Sequence, residues 1–240
     1  MILPGSYANG FAPRDGRPLY PSLWKGCAGA WAPCLGPTGL TLRDWSGYGN
    51  HGTLTNMDAA SDWVPSNGRY ALDFDRTNDY VVVAPSSLFD FSGNASFSLS
   101  CWFCNRVATG IQTMLNRGTV GSSQRDFILY TAFISASAFR VEFQNSNGSV
   151  FPTIVTGNLN LDTWYHVAAT KGPGGEAAIW INGTKQVTGT LTTLVSSLNT
   201  RSVVAGATFD LPGIQYHSGQ LLDDVRIYNR VLSDNEIRLL

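Results

Sequence analysis

The strongest hydrophobic alternation in the chain runs from Thr163 to Gly183. Residues 164–170 alternate as a strand does, Gly172-Pro173-Gly174-Gly175 interrupts them, and a second β-favouring run follows from Ala177 to Ile181. The pattern predicts a long antiparallel hairpin. A period of two sends Tyr165, Val167 and Ala169 to one face and Trp164, His166 and Ala168 to the other; on the return strand Ile179 and Ile181 oppose Trp180 and Asn182. Neither face is polar enough to stand bare in water. The hairpin is therefore expected as a central pair of a sheet packed against another, a β-sandwich.

Short runs of the same kind recur along the chain. Strands are predicted over 24–31, on either side of a turn at Arg76 to Asn78, and over 97–105, 113–117, 126–133, 138–144, 150–155, 185–189, 202–205 and 219–228. Around that turn Leu72, Phe74, Tyr80 and Val82 are expected to point inward. Gly, Asn, Pro and Ser separate the runs and no strand–helix alternation occurs, which predicts an all-β, two-sheet antiparallel sandwich or jelly roll. The one helical signal is terminal, where Ser233 and Glu236 have capping-box spacing. Residues 1–24 carry Pro4, Pro13, Pro18 and Pro21 among glycines with no period, and read as an extended N-terminal arm. Residues 25–240 then form a single domain.

Composition narrows the function. The chain has 240 residues, 43% hydrophobic and 12% aromatic, but only 14% charged. Net charge is −1 and the basic residues are scattered, so no electrostatic footprint for nucleic acid or an anionic membrane is present. No apolar run reaches membrane-spanning length, and the first residues lack the basic and apolar regions of a secretory signal. A site on an extracellular surface, or on a virion released by lysis, is compatible with that. Cys101 and Cys104 have zinc-ribbon or redox spacing, but three residues apart on a strand they point to opposite faces; buried thiols, or a Cys27–Cys34 bridge, are the plainer readings. Gly47, Gly49 and Gly52 punctuate residues 42–54 without the strand–helix unit that phosphate binding needs.

Five stretches in order carry a resemblance: Asp44-Trp-Ser-Gly-Tyr-Gly-Asn-His-Gly52, Ala71-Leu-Asp-Phe-Asp-Arg-Thr-Asn-Asp-Tyr-Val81, Phe97-Ser-Leu-Ser-Cys-Trp-Phe103, Trp164-Tyr-His-Val-Ala168 with Ile181-Asn-Gly183, and Leu222-Asp-Asp-Val-Arg-Ile-Tyr-Asn-Arg230. Together they resemble the laminin-G-like, pentraxin-type domains of the concanavalin-A-like lectin and glucanase superfamily. The likeness implies two curved antiparallel sheets with the chain ends close together. It does not imply one activity, because such folds host lectins, adhesion modules, glycanases and structural shells. One departure stands out: the family's glycine after Asp-Phe-Asp is Arg76 here, so the turn either differs in type or holds Arg76 where it can meet Asp79.

The resemblance also implies a structural calcium that ties an N-terminal loop to the last strand. Carried over by position, its ligands are Asp44 with carbonyls of residues 47–50, and Asp223 or Asp224; the alternative is that Asp44 caps its loop while Asp224 pairs with Arg226 or Arg230. The superfamily's glucanases use three acids on one strand, whereas Glu142, Glu176 and Glu236 each stand alone, Glu142 as a solvent-facing strand residue. Asp73 and Asp75 share a face and read as turn-capping carboxylates rather than a catalytic pair. His51, His166 and His217 are far apart and no nucleophile motif accompanies them; His51 is expected to bond backbone and His166 to pack between strands. No catalytic residue is assigned.

Glycan recognition would use loop aromatics with polar neighbours, and Trp45, Tyr48, His51, Trp63, Tyr216 and His217 are the candidates, with Tyr130 beside them. Two readings follow. One is a non-catalytic surface module that binds a glycan or a protein; the other is a decoration subunit of a large assembly such as a bacteriophage virion, a homo-oligomer joined through residues 1–24.

Overall fold

In a computed structural model, which describes residues 20–66, 69–120, 124–147, 153–192, 201–210 and 213–240, the hairpin forms where the alternation places it. Trp164–Lys171 pairs antiparallel with Glu176–Ile181, Val167 facing Ile181 and Ala169 facing Ile179. Val167, Ala169, Ile179 and Ile181 enter the main core, while Ala168, Ala178 and Trp180 enter a second cluster on the sheet's other face.

The first sheet runs Thr184–Thr190, Glu176–Ile181, Trp164–Lys171, Phe97–Asn105, Gln220–Tyr228, Arg69–Asp73, Trp63–Ser66, with Cys27–Trp31 also pairing Gln220–Tyr228. The hairpin is thus not central, since its return strand lies one place from the edge. The second sheet runs Thr153–Val155, Ala138–Asn147, Gln124–Ser135, Ile111–Val120, Val203–Ala205, Tyr80–Val83, Gly52–Thr55, Thr41–Leu42. Aromatic and aliphatic side chains from both inner faces fill the space between, Phe97 stacking on Phe91 at 4.6 Å and meeting Phe143 edge-on at 6.0 Å.

The strands on either side of the Arg76 turn do not pair with each other. Arg69–Asp73 belongs to the first sheet and Tyr80–Val83 to the second, so the turn carries the chain across the sandwich. Val81 and Val83 are the buried residues of the second strand, not Tyr80 and Val82. The crossover, rather than a continuous alternation, sets its register.

What covers the outer face of the first sheet is the two ends of the described chain, not a third layer of strands. Leu23, Cys27, Ala30 and Ala32 from one end pack with Leu232, Ile237 and Leu240 from the other over Ala168, Ala178 and Trp180. Arg230 clamps the ends: its guanidinium donates to the Lys25 carbonyl at 2.6 Å, to the Ser22 carbonyl at 2.8 Å and to both Glu236 oxygens. Ser233 and Glu236 form the capping box that starts the short helix Asp234–Ile237. Phe97–Asn105 is consequently buried on both faces, and its outward Ser98 bonds the carbonyl of Arg230 and the N–H of Leu232.

Three further expectations are settled here. All four cysteines are free thiols, so Cys27 and Cys34 are not bridged, and Cys101 and Cys104 belong to different clusters. Glu142 is not solvent-facing: it is buried, accepting from the Tyr130 hydroxyl and from Arg140 Nε at 2.7 Å. His166 is 3% exposed against the Trp102 ring at 5.4 Å, and burial, helped by the Arg226 charge, pushes it down to about 3. Residues 1–19 of the expected 1–24 arm, and any assembly through them, lie outside the described residues; its last residues are not extended, since Pro21–Trp24 is a 3-10 turn whose Leu23 is buried in the outer cluster.

Candidate functional site

Asp44 organises the loop that follows the first strand. Its Oδ1 accepts from the Ala30 and Ser46 N–H groups at 3.0 and 2.8 Å, and its Oδ2 accepts from the Ser46 hydroxyl and the Asn50 N–H at 2.7 and 2.8 Å. Its own N–H donates to His51 Nδ1 at 3.0 Å, which fixes that ring as the Nε2–H tautomer. The turn back is possible because Gly47 and Gly49 take φ angles of 93° and 74°. Trp31 Nε1 on the Asn50 carbonyl at 2.8 Å and Asn50 Nδ2 on the Ala28 carbonyl at 3.0 Å lock the loop to the sheet.

Against this loop lies a cleft of about 160 Å³, walled by Leu35, Pro37, Leu42, Arg43, Trp45 and Trp63 together with Ala32, Gly36 and Thr38. Arg43 sits over the Trp45 ring at 4.4 Å, and Trp63, 4% exposed, donates its indole N–H to the Gly39 carbonyl at 3.0 Å. Two of the sequence candidates, Trp45 and Trp63, therefore share one site. Tyr48 is exposed at the tip of the same loop, and His51 is committed to backbone. Tyr216 and His217 are elsewhere: His217 packs on Tyr80 at 6.1 Å and its Nδ1 lies 3.3 Å from the Asp79 carbonyl oxygen. Tyr130 is buried.

The 3-10 turn beside the cleft is tied to the last strand. Cys34, in the 3-10 turn Pro33–Leu35, donates its N–H to Asp223 Oδ1 at 2.9 Å, and Asp224 donates to the same oxygen at 2.7 Å. Asp224 itself, at a φ of 43°, holds the buried Arg226 through two bonds of 2.6 and 2.9 Å, and Arg226 lies 5.7 Å from the Trp24 ring.

The carboxylates that the resemblance implies as calcium ligands are engaged by the protein itself. Asp44 faces four protein donors and Asp224 faces a guanidinium. Among the described residues no three His, Cys, Asp or Glu side chains converge as metal ligands. The loop cap at Asp44 and the Asp224–Arg226 pair of the alternative reading are both present. Of the two expectations for Arg76, the contact with Asp79 is not the one its side chain makes. Its side chain reaches Thr109 Oγ1 at 3.4 Å, while Asp79 accepts from the Asp75 N–H and Asp75 caps the turn through three backbone N–H groups.

Burial, reinforced by the Asp224 carboxylate, lifts Asp223 to about 7. A carboxyl in the unfolded chain titrates near ~3.9, so the folded state binds this proton more tightly. The stability Asp223 contributes is complete below pH ~4 and is lost as pH rises through about 7. Asp223→Asn keeps an oxygen for both N–H donors and removes the charge. It should be more stable than the parent at pH 8, by on the order of 2 kcal/mol, and nearly equal to it at pH 4. Paired urea titrations at the two pH values check this.

Sequence reasoning missed a second cleft of about 450 Å³ between the Arg76 turn and residues 106–107 and 219. Its one sequence signal was Arg76 standing where the family pattern has glycine.

No curated protein sequence matches the chain. Solved structures do, at low identity. A botulinum neurotoxin serotype D binding domain superposes with a TM-score of 0.65 at 14% identity, covering 91% of this chain and 52% of that one. A botulinum neurotoxin type C structure, whose cell uptake is described as dependent upon interaction with two ganglioside molecules, gives 0.65 at 16% identity, covering 92% and 52%. The binding domain of botulinum neurotoxin DC in complex with rat synaptotagmin II gives 0.64 at 15% identity, covering 90% and 51%. The chain spans about half the length of these domains, and the likeness is one of fold. A family model described as the concanavalin A-like lectin/glucanases superfamily matches residues 75–238, beginning just after the tryptophan cleft. Two antiparallel sheets in this order and a family match over most of the sequence agree, and the chain belongs to the concanavalin A-like lectin/glucanase superfamily.

Proposed function

We propose that this protein is a non-catalytic binding module and that the cleft between Trp45 and Trp63 takes a sugar ring of a glycan. The observation that carries the reading is the pairing of two tryptophans with Arg43 in a concave site whose wall is fixed by the bonds around Asp44. Aromatic rings stack on the apolar face of a pyranose, and an adjacent guanidinium supplies donors for its hydroxyls. A wall already fixed costs little ordering entropy on binding. At about 160 Å³ the cleft is below the roughly 300–1,000 Å³ of a drug-sized site, so it admits one ring at the end or side of a chain. The similar toxin structures include ones described with gangliosides and with a protein, which supports a binding role for the fold. Among the described residues Glu142 and Glu236 are held in structural contacts, so neither supports a glycanase carboxylate pair.

The test is a glycan array probed with the parent protein and with Trp45→Ala. The parent should bind a restricted set of glycans, and Trp45→Ala, still folded by circular dichroism, should bind them about tenfold or more weakly. A blank array for the parent, or undiminished binding by the variant, contradicts the reading.

A further inference from the structure

The rim of the tryptophan cleft carries apolar surface that a sugar ring leaves uncovered. Among the described residues eight large hydrophobic side chains are exposed, and three of them, Leu35 at 43%, Leu40 at 53% and Tyr48 at 61%, fall within residues 35–48 beside that cleft. Pro37 adds to them. The flank is open as well, since a Cβ built at Gly36 or Gly39 meets no atom within 4 Å. A stacked pyranose engages Trp45, Trp63 and Arg43, but Leu35 and Leu40 offer its hydroxyls nothing. Apolar side chains gathered on one rim fit an apolar segment.

The chain carries such a segment close by. Residues 1–13, Met-Ile-Leu-Pro-Gly-Ser-Tyr-Ala-Asn-Gly-Phe-Ala-Pro, have no charged side chain and include Ile2, Leu3, Tyr7 and Phe11. A stretch this short cannot build a core of its own, so those side chains need a surface to cover them. Arg14 to Leu19 join it to Tyr20, where the described chain starts. Tyr20 and Trp24 pack on the same outer cluster as Cys34 and Trp45, so the chain enters the fold on the side of the cleft. Six joining residues span up to about 20 Å, enough to lay residues 1–13 across it. Aromatic-lined grooves take extended, proline-bearing segments, whose backbone is ordered at little entropic cost, and Pro4 and Pro13 lie in this one.

We propose that residues 1–13 lie in the tryptophan cleft of their own chain, Tyr7 and Phe11 covering Trp45, Leu35 and Leu40, and that a ligand has to displace them. The docking stands whether or not the cleft binds a glycan; only the competition rests on that reading.

The experiment is NMR on the isotope-labelled whole chain, compared with Tyr7→Ser/Phe11→Ser. The parent should show nuclear Overhauser contacts from the Phe11 ring to the Trp45 ring and to the Leu35 and Leu40 methyls, unchanged on tenfold dilution. The double variant, still folded by circular dichroism, should lose them and shift the Trp45 indole N–H signal. A synthetic peptide of residues 1–19 should then return that signal saturably to its parent position. A glycan that binds the cleft should bind the double variant about tenfold more tightly, as expected when an occupant present nine-tenths of the time is removed. A parent without the contacts, or a variant with an unmoved Trp45 signal, overturns the proposal. Contacts that vanish on dilution of a dimer also overturn it, because the occupant is then a second copy of the chain. Contacts found together with a blank glycan array uphold the docked segment and sink the sugar. Glycan binding equal in parent and variant, with no contacts, does the reverse.

Discussion

Asp224→Asn should lower the melting temperature by on the order of 10 °C, the largest effect expected from a single conservative change in this protein. Arg226 is 1% exposed and Asp224 is 3% exposed, and they meet through two hydrogen bonds. Removing one charge of such a pair leaves the other buried without its counter-charge, at a cost of about 3–5 kcal/mol. Asparagine is the informative substitute, because Asp224 sits at a φ of 43° and asparagine tolerates that region better than alanine would. Adding Arg226→Met to Asp224→Asn should recover much of the loss, since the cost lies in the stranded charge and not in the volume. The melting temperature of the parent should be the same in chelator and in millimolar calcium. A large calcium-dependent rise would restore Asp224 and Asp44 to the metal-ligand role that the resemblance implies.

Asp44→Ala should have the second largest effect, and a different one. It strips acceptors from three backbone N–H groups and a hydroxyl at once, one of them, the Ala30 N–H, in a buried strand. Each buried donor left without a partner costs about 1–3 kcal/mol, and these are coupled, so a total of about 3 kcal/mol is expected rather than the sum. Asp44→Asn, which can keep Oδ1 but not Oδ2 as an acceptor, should lose about half of that. Both variants should also weaken ligand binding at the Trp45 cleft, whose wall the carboxylate fixes. Denaturant unfolding together with the array of bound glycans separates the two consequences. A variant that loses stability and binds as the parent does would detach Asp44 from the site.

Much of the fold was legible because its signals are local. The two faces of residues 164–171, the turn at residues 172–175 and the Ser233–Glu236 box follow from period and spacing alone, and each forms as read. The register of Tyr80–Val83 was not legible, because the chain changes sheets at Arg76 and the alternation on one side no longer fixes the other. Glu142 and Arg226 look like surface charges in a strand; only long-range partners, Tyr130 for one and the outer layer of chain ends for the other, bury them. The site was half legible. Trp45 stands out by its loop neighbours, but nothing in the sequence separates Trp63, a buried strand residue that lines the cleft from the core, and the bond from Cys34 to Asp223 beside the cleft joins residues 189 apart in sequence. Spacing carries no information about such a contact.

The central claim, that the cleft of Trp45 and Trp63 is where a glycan binds, is tested most directly by following the indole N–H signals of the tryptophans while the best array glycan is added. The account predicts that the Trp45 and Trp63 signals move together and saturably, while those of Trp102 and Trp164, which lie outside the cleft, stay in place. Saturable binding that leaves the Trp45 and Trp63 signals unmoved would contradict it.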